Sequence, residues 1–212
     1  MQNYKRAFIQ LAIENKVLQF GEFTLKSGRT SPYFFNAGLF YSGAALAEVG
    51  RCYAQAIMEA DLKFDFIFGP AYKGITLAAA TCIALADVHN INTPYSYNRK
   101  EAKDHGEGGS IVGAPLCGRA VIVDDVITAG TAIKEVLELF QNSQATPSAI
   151  VVGLDRQEKG PSGSSAIQEL QHKIGIPVLS IINLDDIMAH LASHDEMGLL
   201  AKIKEYRESY GV

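Results

Sequence analysis

Residues 121–132, VIVDDVITAGTA, join two kinds of chemistry: an apolar run ends in the adjacent acids Asp124 and Asp125 and passes into a small-residue loop that opens a helix. Thr128, Ala129, Gly130 and Thr131 are small enough for backbone N–H groups to close around a phosphate, with the positive end of the helix dipole behind them. The two threonines add hydroxyl donors, and Val126, Ile127 and Ala132 complete the strand-to-helix passage. Acids beside a phosphate cradle conflict unless the ligand is a sugar phosphate, whose ribose hydroxyls can donate to carboxylates and whose charge can be bridged by Mg2+. Without such a ligand, the same residues make only a capped strand–turn–helix with a surface acidic pair.

Cations that could meet a polyphosphate occur in two segments. In FGPAYKG (68–74) a strand runs into Gly-Pro, then Tyr72 and Lys73 at the start of a helix. A lysine there opposes the helix dipole, which favours an anion nearby over simple solvation. The segment RKEAKDHGEGGS (99–110) carries Arg99, Lys100, Lys103 and His105 with no apolar periodicity, and reads as a mobile loop. Arg156 follows the strand AIVVGLD, and its planar fork suits a carboxylate; the competing reading is a surface ion pair with Asp155 or Glu158. Phe34 and Phe35, taken alone, read as core residues. His89, His172, His190 and His194 lack metal-ligand spacing.

Taken together, these segments resemble the type I phosphoribosyltransferases, and the resemblance runs over essentially the full chain. FGEFTLKSGRTSPYFFN (20–36) is similar to the base-covering hood of orotate phosphoribosyltransferases, and the 99–109 loop to their catalytic loop. The resemblance implies PRPP bound by Lys26, Tyr72, Lys73, Arg99, Lys100, Lys103, His105 and residues 124–132. It implies orotate bound by Lys26, Phe34, Phe35, Thr128 and Arg156. Lys73, Arg99, Lys103, His105, Asp124 and Asp125 are the implied catalytic set, with Mg2+ held mainly through PRPP. A non-proline cis peptide is implied in the 68–74 loop, and a homodimer in which the catalytic loop reaches the neighbouring site. The PRPP motif does not fix the acceptor, so uracil or a purine remains an alternative. A PRPP-sensing regulator that binds nucleic acid is the alternative from another class. A net charge of -4 and the intact basic loop speak against it.

The elements that must carry these residues alternate. A helix over 4–15 presents Phe8, Leu11 and Ala12, and short β-prone pieces follow around 17–20, 23–25 and 33–36. From about residue 44, helices alternate with strands apolar on both faces, and two helices end the chain. That pattern predicts an α/β fold: a mostly parallel central sheet flanked by helices, as in the type I phosphoribosyltransferases, with a small N-terminal α/β hood. In such sheets ligands sit beyond the carboxyl ends of the strands. The 212 residues suit a single domain, with 1–40 contributing the hood. Cys52, Cys82 and Cys117 suggest neither a disulfide framework nor a metal site and read as small core residues. No stretch is long enough to span a membrane, and nothing directs export, so a cytoplasmic location is expected.

Overall fold

The computed structural model describes residues 1–25, 27–103, 109–127, 131–160 and 162–212, with the backbone alone at 102, 103, 109 and 131. In chain order the elements are α1 (Asn3–Glu14), β1 (Leu18–Thr24), β2 (Thr30–Phe35), α2 (Gly43–Glu59), β3 (Phe66–Gly69), α3 (Lys73–His89), β4 (Tyr95–Lys103) and β5 (Gly109–Gly113). Then follow β6 (Cys117–Val126), α4 (Thr131–Gln141), β7 (Gln144–Asp155), α5 (Ala166–Ile174), β8 (Val178–Asn183), α6 (Leu184–Ser193) and α7 (Met197–Tyr210).

Six strands form one sheet in the order β5-β4-β3-β6-β7-β8, parallel throughout except for the antiparallel β4–β5 pair. Along β6, Val121 and Val123 face one side while Ala120 and Ile122 face the other, as the period of two requires. Ile67, Ala149 and Val151 join the first face, where Phe8, Val49, Leu85, Ile187 and Ile203 bring in α1, α2, α3, α6 and α7. Phe66, Phe68, Ile150 and Val152 join the second, closed by Ile133, Val136 and Phe140 of α4 and Ile167 and Leu170 of α5. Phe140 sets its ring edge-on to Phe68 at 5.2 Å. Because both faces are covered, the central strands are continuous apolar runs in sequence.

β1 and β2 form a separate antiparallel pair, joining two expected β pieces into one strand across an irregularity between Phe20 and Phe23. β2 leans on α7, with Tyr33 edge-on to Tyr206. Helix α1 and this hairpin both join the main core, through Phe8, Ile9 and Ala12 and through Leu18 and Tyr33. Ile9 takes the place expected of Leu11, which lies at the margin.

Two further expectations are corrected. Regular structure extends into the charged segment: β4 continues through Arg99 and Lys100 to Lys103, and Lys103 pairs with Gly109 at the start of β5. The ladder holds on either side, at Asn98↔Ile111 and Lys103↔Gly109, and the polar residues between them fall in an irregularity of the strand. Cys52 and Cys82 are buried, but Cys117, the first residue of β6, is exposed. Among the described residues no helix is long and apolar enough to cross a membrane.

Candidate active site

The carboxyl ends of β3 and β6 lie side by side, since these strands pair in parallel register from Phe66↔Ala120 to Phe68↔Ile122. This register sets the turn after β3 beside the acids that end β6. Successive strand residues point to opposite faces, so the two acids diverge. Asp125 accepts from Lys73 Nζ at 2.6 Å, linking two segments 52 residues apart. Asp124 turns inward and is 9% exposed, its Oδ1 accepting from the Asp125 N–H at 2.9 Å. Burial, and then the neighbouring Asp125 charge, push its carboxyl up to about 7. The Tyr53 hydroxyl donates to the Asp124 carbonyl at 2.7 Å and fixes this strand end from α2.

The β3–α3 turn is built around two glycines. A Cβ on Gly69 would stand 2.0 Å from the Gly74 carbonyl oxygen, and one on Gly74 would stand 2.6 Å from Pro70 Cδ and 2.9 Å from the Val123 carbonyl oxygen. Strand end and helix start therefore touch backbone to backbone, which only residues without a Cβ allow. The peptide between Ala71 and Tyr72 is cis, in agreement with the resemblance. The Ala71 N–H donates to the buried Asn98 side chain at 2.9 Å. Tyr72 is exposed.

Helix α3 begins with Tyr72 as an uncapped N-cap and Lys73 in its first turn. By contrast, α5 and α6, which also start at this edge of the sheet, carry complete capping boxes from Ser165/Gln168 and Asn183/Asp186. Among the described residues no side chain caps the first N–H groups of α3, which lie beside a lysine, a combination suited to an anion.

The structure does not gather all the expected residues here. Lys26, His105, Thr128, Ala129 and Gly130 lie outside the described residues, as do the side chains of Lys103 and Thr131. Val126 is half-buried and Ile127 buried, so their side chains pack inward and leave only their backbone to meet a ligand. Ala132 lies in the first turn of α4. Lys100 pairs with Glu135 of α4 at 3.0 Å, and Arg99 lines a hollow of about 300 Å3 with Asn98, Ser110 and Glu135. Phe34 and Phe35 do not share one surface: Phe34 is exposed and stacks on Phe23, whereas Phe35 turns inward toward Phe8.

Arg156 is neither solvated nor paired with Asp155. Its Nε donates to Glu158 at 2.8 Å and its Cζ lies 4.3 Å over the Tyr33 ring. Asn98, Tyr53, Ser31, Tyr33 and Tyr206 escaped the sequence reading. Asn98 left a faint signal, as the second polar inward position in SYN (96–98); the tyrosines left none.

Among the described residues, no group of three or more His, Cys, Asp or Glu is preassembled for a metal. Asp124 and Asp125 offer hard oxygen donors, and Asp125 already engages Lys73. This donor set fits Mg2+ held largely by ligand oxygens and poorly fits an all-protein metal cage.

A parallel sheet whose central carboxyl edge joins an acid pair, a lysine and an uncapped helix defines the chain as a phosphoribosyltransferase, and residues 39–176 match the phosphoribosyl transferase domain family. The chain is 59% identical over 212 residues to the orotate phosphoribosyltransferase of Saccharophagus degradans, covering all of both chains. It is 61% identical over 213 residues to that of Cellvibrio japonicus, covering 100% of this chain and 99% of the relative. The crystal structure of orotate phosphoribosyltransferase from Francisella tularensis superposes with a TM-score of 0.89 at 44% identity, covering 97% of this chain and all of that one. The chain belongs to the orotate phosphoribosyltransferases.

Proposed function

We propose that the chain transfers the phosphoribosyl group of PRPP to orotate, giving orotidine 5'-monophosphate and pyrophosphate in pyrimidine biosynthesis. Full-length identity to orotate phosphoribosyltransferases supports the reaction. The Lys73–Asp125 pair supports the site, because it brings the two PRPP segments within 2.6 Å of each other.

Orotate N1 attacks ribose C1' as pyrophosphate departs, through an oxocarbenium-like transition state, and the protein's task is charge and position. Lys73 and Tyr72 face the pyrophosphate from the β3–α3 turn. Arg99, Lys100, Lys103 and His105 come from the segment similar to the family's catalytic loop, which closes over the leaving group and excludes water; Lys103 or His105 supplies the proton it takes. Asp124 and Asp125 accept from the ribose hydroxyls. Backbone groups of Val126, Ile127, Thr128, Ala129, Gly130, Thr131 and Ala132 surround the 5'-phosphate. Arg156 receives the orotate carboxylate, while Lys26 and the backbone at Phe34 and Phe35 border the base. Orotate enters deprotonated, so no dedicated base is required. Asp124 and Asp125 would hold Mg2+ together with PRPP oxygens, and the ion would neutralise charge developing on pyrophosphate.

The chain works as one domain with residues 1–40 supplying the hood, as a cytoplasmic homodimer that shares its catalytic loops. Orotate consumption followed by absorbance, with PRPP and Mg2+ present and uracil and hypoxanthine as controls, tests the reading. Loss of orotate that requires both PRPP and Mg2+ is expected. Conversion of another base with orotate untouched would overturn the acceptor assignment.

A further inference from the structure

We infer that Glu158 and Tyr206 are positioning residues for orotate: they hold the Arg156 guanidinium, and through them the C-terminal helix α7 sets selectivity for a carboxylated base. This rests on the reading above in which Arg156 receives the orotate carboxylate.

The Arg156 side chain is only 14% exposed, and so is Glu158 at 16%. Arg156 Nε donates to Glu158 Oε1 at 2.8 Å, Nη2 approaches the same oxygen at 2.5 Å, and Nη2 also donates to Ser31 Oγ at 3.2 Å. Tyr33 supplies the face on which the guanidinium lies. Glu158 is held in turn, because the Tyr206 hydroxyl donates to Oε1 at 2.9 Å and the ring of Tyr206 stands edge-on to Tyr33. The backbone clamps the same segment: Lys159 N–H donates to the Tyr210 carbonyl at 2.7 Å, and Val212 N–H to the Gln157 carbonyl at 3.0 Å. Three elements far apart in sequence thus converge on one arginine.

A buried guanidinium requires a counter-charge, and Glu158 provides it. The orientation of that counter-charge matters more than its presence. Glu158 and Ser31 engage Nε and Nη2, whereas Nη1 has no partner among the described residues. One corner of the fork is therefore left for a further carboxylate, and the arginine reaches it already ordered, so binding does not have to freeze a long side chain. A base lacking the carboxylate gains nothing from this arrangement. Neither Glu158 nor Tyr206 belongs to the acid pair, the β3–α3 turn or the basic hairpin, so PRPP should not sense their loss directly.

The test is steady-state kinetics of the full-length enzyme with orotate and PRPP varied in turn, on Glu158→Gln, Tyr206→Phe, Arg156→Ala and the double variant Arg156→Ala/Glu158→Gln, with melting temperatures as a check on folding. Glu158→Gln is expected to raise the orotate KM about tenfold and Tyr206→Phe about threefold, with PRPP KM and kcat within about twofold of the parent. Arg156→Ala should raise the orotate KM further, and the double variant should be no worse than Arg156→Ala alone. An unchanged orotate KM in Glu158→Gln, beside a raised one in Arg156→Ala, overturns the positioning role and leaves the arginine's role standing. Equal rises in both KM values, or full additivity in the double variant, also overturn it, since they indicate general loosening. An unchanged orotate KM in Arg156→Ala removes the underlying reading. If Glu158→Gln fails to fold, Tyr206→Phe, which removes one hydroxyl, carries the same comparison.

Discussion

Lys73 and Asp125 pair at 2.6 Å with Lys73 half exposed, and pairs of that kind contribute only ~0–1 kcal/mol to folding. Their pairing therefore adds little to folding and leaves Lys73 free to serve the proposed PRPP contact. Lys73→Ala should lower kcat/KM for PRPP about 100-fold or more while shifting the melting temperature of the free protein by no more than about 3 °C. A large stability loss with kinetics preserved would reverse that assignment. Asn98 differs in kind. It is buried and is the acceptor for the Ala71 N–H in the same turn, and an orphaned buried donor costs ~1–3 kcal/mol. Asn98→Ala should both destabilise the fold and raise the PRPP KM, whereas Asn98→Asp, which keeps an acceptor oxygen, should retain more of each. Calorimetry alongside PRPP titrations separates the two effects, and an unmoved PRPP KM in Asn98→Ala would detach this turn from PRPP.

Among the elements, what could be read in sequence was what local pattern controls. The strand runs at 64–68, 120–123 and 149–155 announced themselves because helices cover both faces, and the acid pair with its turn was visible because it is contiguous. The length of β4 was hidden, since it resumes at Lys103 through a pairing with Gly109 that composition does not reveal. Tyr206 and Glu158 meet across 48 residues, and no periodicity encodes such a meeting. The two glycines of the β3–α3 turn lie between these extremes: their presence was plain, but their close approach is tertiary. Gly74→Ala should therefore displace the start of α3 from Pro70 and Val123, move Lys73 away from Asp125, and lower both melting temperature and PRPP affinity. An alanine variant with unaltered PRPP binding would show that the turn tolerates the shift.

For the molecule as a whole, the buried Asp124 ties stability to pH. Its folded value of about 7 lies above the ~4 of an unfolded aspartate. The protonated form therefore favours the native state; that contribution is fully present below pH ~4 and is lost as pH rises to ~7. His190, lowered by burial, acts with the opposite sign and loses stability as pH falls. Melting temperatures of Asp124→Asn and parent, measured without PRPP and Mg2+, should diverge in the variant's favour between pH 4.5 and 8; a constant gap would mean that Asp124 does not ionise in this range. Assembly bears on activity more directly. If the loop carrying Lys103 serves the neighbouring subunit, a subunit with Lys103→Ala keeps its acids, and one with Asp125→Asn keeps its loop. A hybrid of the two then contains one complete site, built from the acids of the first and the loop of the second. Random reassociation of equal amounts makes half of the dimers hybrids, so activity should recover to about a quarter of the parent level. A loop that serves its own subunit leaves every site of every dimer defective, and the mixture stays as inactive as its components.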